Sequence, residues 1–86
     1  MMPLNATQQV QLDQLLHKKH DYVAGLMKKL HENRQSLRLA ADREPFDEAA
    51  VRDLVKQQAE LQAELMLSHI RTKIRIKALL QPAPKD

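Results

Sequence analysis

Between Leu12 and Ala40, core-type positions recur at alternating steps of four and three: Leu12, Leu16, Lys19, Val23, Leu26, Leu30, Asn33, Leu37 and Ala40. The spacing predicts one long amphipathic helix with a heptad-like seam that Lys19 and Asn33 interrupt. Leu15, Tyr22 and Met27 add apolar area beside the seam, and Asn5 is placed to cap the helix start. A second seam follows at Val51, Leu54, Gln58, Leu61, Leu65, Ser68, Thr72, Ile76 and Leu79. Beside it runs a further stripe, Val55, Ala59, Ala63, Met66, Ile70 and Ile74. One stripe is enough for a hairpin partner. A second implies another contact, with a second chain or a ligand. Ile70 to Lys77 alternates apolar and basic residues as a half-buried strand would. With no partner strand elsewhere and helix formers on both sides, helix is the expectation there too.

The chain has one evident break, Arg43 to Val51. Pro45 is expected to end the first helix, because residues before proline are pushed out of the helical region. Asp47 can cap the second by accepting from a backbone N–H at Ala49 or Ala50. Glu48 then suits the positive end of the helix dipole. Phe46 and Val51 stand at the positions of a hydrophobic staple. These signals predict an all-α single domain over residues 1–86, a long antiparallel helical hairpin: a helix over about 5–42, a turn at 43–47, a helix over about 48–80 and a disordered tail at 81–86. Rods of this kind are about 50 Å long at 1.5 Å per residue and share one thin interface. Chains this small need help to be stable. The surplus stripe therefore predicts a homodimer, an elongated, curved four-helix assembly.

Composition supports helix: 86 residues hold one Gly and only Tyr22 and Phe46 as aromatics. There is no Cys, which excludes disulfides and thiolate metal sites. No apolar run approaches the roughly 18 residues that a membrane span needs. The opening residues, Met1 to Asn5, lack the charged and apolar regions of a signal peptide, so the expectation is either a cytosolic protein or a mature or excised domain. Charge is unevenly placed. The net +3 divides into +3 over residues 1–41, −4 over 42–64 and +4 over 65–86. In a hairpin the acidic segment forms the tip and the two basic ones the open end. Two such dipoles would favour antiparallel association, a small and salt-screened effect.

Candidate chemistry is sparse. His17 and His20 share a helix side, with Asp13 one turn before His17, a grouping that could take Zn, Ni or Cu. Its alternative is a solvated polar face. Ser36 and Ser68 sit in no nucleophile motif, and no glycine-rich phosphate loop exists, so no enzyme is expected. Lys18-Lys19, Lys28-Lys29 and Arg71 to Lys77 could grip nucleic acid by its backbone, but the aromatic stacking residues of such proteins are missing.

Phe46 to Arg52 (FDEAAVR), Met66 to Pro82 (MLSHIRTKIRIKALLQP) and Leu4 to Gln8 (LNATQ) resemble the Spy/CpxP family of periplasmic proteins. The family signature is Leu-Thr-x-x-Gln, near the front and again after the late helix. Here Asn5 replaces the first Thr, a conservative swap at a helix cap. The second copy, Leu80 to Pro84, keeps Leu and Pro but loses Thr and Gln. The resemblance implies a hairpin that dimerises into a curved cradle and acts in the periplasm as an ATP-independent chaperone or stress regulator. Relatives of the ZraP and CnrX type bind or sense heavy metals. On the chaperones' concave, apolar and basic face, the matching positions are Met66, His69, Ile70 and Lys73. The partners implied are non-native proteins and a sensor kinase or other envelope regulator, with no cofactor required. The family's metal positions do not map onto His17 and His20. Three functions follow as expectations: an ATP-independent periplasmic chaperone or envelope-stress regulator, a periplasmic heavy-metal sensor or resistance protein of the same fold, and a nucleic-acid-binding hairpin.

Overall fold

The computed structural model describes residues 4–81. It contains two helices, α1 (Ala6–Ala41) and α2 (Glu48–Leu80), packed against each other as an antiparallel hairpin. The 81–86 tail expected from the sequence lies outside the described residues except for Gln81. No strand occurs among the described residues, and Ile70 to Lys77 is helical. A solitary alternating stretch has no ladder to join, so its backbone groups are satisfied only within a helix.

Both helix starts are set by local chemistry. The Asn5 side chain accepts from the backbone N–H of Gln8 at 2.7 Å, and the Gln8 side chain accepts from the Asn5 N–H at 3.1 Å. This is a reciprocal capping box, and it satisfies two donors that helix geometry orphans. It also gives physical content to the Leu-Asn-x-x-Gln pattern of Leu4 to Gln8: the second and fifth residues are the two halves of the box. The Gln8 amide reaches further and donates to the Leu79 carbonyl at 3.3 Å, tying the start of α1 to the end of α2. Asp47 caps α2 by accepting from the Ala50 N–H at 3.2 Å. Glu48 occupies its first turn and pairs with Arg52 at 3.3 Å.

The helix ends lie close to the expected boundaries, but two details of the turn differ from expectation. First, α1 stops at Ala41, with Asp42 as its C-cap, several residues before Pro45. The Arg43 N–H turns back to the Ala40 carbonyl at 3.4 Å. Pro45, whose peptide bond with Glu44 is cis, lies wholly inside the connection. Second, Phe46 is 58% exposed, so no buried staple closes over Val51.

The interface follows the two seams. All nine predicted positions on α2 are at least partly buried, as are eight of nine on α1. The exception is Leu16, which is exposed while neighbouring Leu15 turns inward. At 100° per residue, position 15 falls closer to the line from Lys19 through Leu26 than position 16 does. Among the described residues the buried set is small: Leu26 and Leu30 among apolar side chains, and Asn33, Ser68 and Thr72 among polar ones. Asn33 donates to the Leu54 carbonyl at 2.9 Å and to the Gln57 side chain at 3.1 Å, which fixes the register of the helices near the tip. Its own amide oxygen is buried without a partner.

The molecule measures 67 × 23 × 16 Å, with a radius of gyration of 19.5 Å. A compact chain of this length would have a radius of about 12 Å. Two rods in one line of contact enclose almost no interior, and Val55, Met66, Ile70 and Ile74 are left in water. Among the described residues, no helix is long and apolar enough to cross a membrane.

Candidate functional site

Helical pairing gives the hairpin two unlike broad faces. Tyr22, Lys29, Glu32 and Ser36 of α1 meet Gln57, Glu60 and Glu64 of α2 along one of them, in a groove of about 650 Å³. Toward the open end that face continues as a groove of about 360 Å³ between Leu15, Lys18, Lys19 and Tyr22 of α1 and Ser68, Arg71, Thr72 and Arg75 of α2. This face is polar. Tyr22 donates its hydroxyl to a Glu64 carboxylate oxygen at 2.9 Å across the interface, and Arg71 stands 3.9 Å from the same oxygen. The hydrogen bond to Glu64 raises the Tyr22 pKa above its usual 10.0. Partial desolvation and the Glu64 charge push the same way, and Arg71 opposes them.

The opposite face is the apolar one. Leu16, Val23, Ala24 and Met27 line a shallow depression with Lys19 and His20. On the same side of the hairpin, by helical periodicity, α2 presents Val55, Met66, His69, Ile70 and Lys73. Met66 is 66% exposed, and Ile70, His69 and Lys73 are also open to water. The four residues singled out for partner contact therefore share one accessible flank of α2. Ile74, from the same sequence stripe, is 61% exposed on the outer edge. Chemically the flank combines a flexible thioether, branched aliphatic groups and long cationic stems. Such a surface can remould itself to many apolar shapes.

The candidate metal ligands are not gathered. Asp13 and His17 line a shallow depression with Gln14 and Lys18. The His17 ring nitrogen faces Asp21, one turn further on, at 3.6 Å. His20 belongs to the apolar depression instead. Three-residue spacing leaves a 60° offset around the helix, enough to send the two imidazoles to different surroundings. No group of three or more His, Asp or Glu able to hold a metal ion exists among the described residues. Among the described residues, the donors of one chain are therefore not gathered into a three-ligand set.

Sequence reasoning missed the Tyr22–Glu64–Arg71 link and the convergence of Lys18, Lys19, Arg71 and Arg75. Both are visible only once the pairing register is known. Gln8 with Leu79, Tyr22 with Glu64 and Asn33 with Leu54 all obey one antiparallel alignment. Had that alignment been assumed, opposite polar residues could have been matched from the sequence.

Comparison with known proteins gives one finding. The family model described as heavy-metal resistance matches residues 1–85. No curated protein and no solved structure matches the chain.

Proposed function

We propose a metal-stress role for this chain, which belongs to the heavy-metal resistance family: a non-enzymatic, ATP-independent protein of the periplasm that holds non-native proteins on the apolar and basic flank of α2. The observation that carries the reading is the exposed set Met66, His69, Ile70 and Lys73 beside a hairpin that, among the described residues, buries only Leu26 and Leu30 of its apolar side chains. Proteins unfolded by metal ions present scattered apolar groups and both signs of charge. A shallow surface with Met, Ile and mobile cations contacts such chains weakly and without sequence preference. Cations at the rim speed capture more than they deepen affinity. Release then needs only that the client bury its own apolar groups.

The working form is a homodimer. The α1 depression around Leu16, Val23 and Met27 is the more apolar part of the face and suits a permanent contact. The α2 flank interleaves charge with aliphatic groups and suits a transient one. The Spy/CpxP resemblance supports both the periplasmic location and the dimer.

Aggregation of a heat-treated or reduced client, followed by light scattering without nucleotide, tests the reading. The dimer at one equivalent should suppress aggregation, and the double variant Met66→Ser, Ile70→Ser should lose most of that effect. Unchanged aggregation with the native protein would sink the proposal. A second reading, a heavy-metal sensor, draws on the family and on the His17–Asp21 pair. Calorimetric titration with Zn, Ni and Cu addresses it, and affinities weaker than about millimolar, roughly −4 kcal/mol, would remove it.

A further inference from the structure

We propose that the groove at the open end of the polar face is a site for linked phosphoryl groups, such as a diphosphate or longer phosphate chain. Lys18 and Lys19 of α1 and Arg71 and Arg75 of α2 converge there on a space of about 360 Å³, and no carboxylate is among its lining residues. Among the described residues, Lys18, Lys19 and Arg75 form no ion pair, and Arg71 has only the 3.9 Å approach to Glu64. The seven acids of residues 42–64 stand toward the tip, with Glu64 the nearest of them to the groove. Arg71 and Arg75, one helical turn apart, repel each other, and Lys18 and Lys19 add their charge from the facing helix. An anion between the helices relieves all of these repulsions at once.

The shape of the groove selects the anion. Arg71 and Arg75 lie one turn apart, about 6 Å along α2, and the lysines face them across an interhelical spacing of about 8–10 Å. That spread exceeds one tetrahedral group and matches two or three joined ones. Two guanidinium forks can each take a pair of phosphoryl oxygens, while the ammonium groups act as mobile point charges. Ser68 and Thr72, both buried in the seam, form the floor, and Tyr22 closes the tipward end. The site lies on the face opposite Met66 and Ile70, so it is independent of the client-holding proposal.

Calorimetry with sodium pyrophosphate at low ionic strength tests it on the full chain. The native protein should bind below about 1 mM, more weakly as salt rises. The double variant Lys18→Gln, Arg75→Gln should weaken binding by at least about tenfold, the worth of one charge-assisted hydrogen bond. The control Arg34→Gln, Arg38→Gln removes the same charge from the other flank and should stay within about twofold. All four side chains are exposed, and circular dichroism verifies that both variants remain helical. Three results would overturn the site: no binding, equal loss in both variants, or orthophosphate binding as tightly as pyrophosphate. A single-stranded oligonucleotide that binds and is not displaced by pyrophosphate would overturn it in favour of a nucleic-acid surface.

Discussion

Leu30→Ala is the sharpest probe of how this hairpin holds together. Leu30 is 1% exposed, the most enclosed large side chain, and among the described residues only Leu26 joins it as a buried apolar group. Replacing a buried Leu by Ala costs about 2–5 kcal/mol, depending on how far the site collapses. Both sides of this seam open to grooves, so neighbours and water can move in, and the lower half of that range, about 2–3 kcal/mol, is expected. Domains of this length have about 4–13 kcal/mol of stability in total. One side chain therefore removes a substantial fraction. Leu39 is 75% exposed, and Leu39→Ala should shift stability by no more than about 0.5 kcal/mol. Urea unfolding followed by circular dichroism at fixed protein concentration compares the two. If Leu30→Ala costs under about 1 kcal/mol, or no more than Leu39→Ala, the seam is not the source of stability.

Three further outcomes are expected. Gly25 lies in mid-α1 with nothing within 4 Å of where a Cβ would sit, so Gly25→Ala should raise thermal stability by about 0.5–1 kcal/mol; a lowered melting point would mean a contact the structure does not contain. Gln8→Ala breaks half of the capping box and the link to Leu79, and should cost about 1 kcal/mol, read by urea unfolding, with amide exchange accelerating at the open end. The Tyr22 pKa is higher folded than unfolded, so its contribution is complete below the unfolded value of 10.0 and is lost as pH rises through the folded value. Stability should therefore fall more steeply above pH 10 in the native protein than in Tyr22→Phe, and parallel pH profiles would refute the link.

Helix positions and both caps were legible in the sequence because they depend on short-range chemistry. Asn5, Asp47 and the spacing of the seams needed no tertiary information. Leu16 was assigned to the seam because a strict heptad places it there; a helix with 3.6 residues per turn drifts, and Leu15 comes inward instead. Phe46 matched a staple position, but one residue's place in a pattern does not determine whether its ring finds cover. The exposed α2 stripe was legible as surplus apolar area, whereas the basic groove was not. Lys18 and Arg75 are far apart in the chain, and only the interhelical register, held by Asn33 near the tip and Gln8 at the open end, brings them together. His20 shows the converse: near His17 and Asp13 in sequence, yet turned to different surroundings.

The account rests on a hairpin whose apolar surface exceeds what its own two helices cover. Multi-angle light scattering on a size-exclusion column at micromolar concentration measures this most directly. About twice the chain mass of 9.9 kDa is predicted, reduced toward one chain by Met27→Asp at an exposed position of the α1 depression. A native protein that runs as a stable 9.9 kDa monomer at that concentration would contradict it.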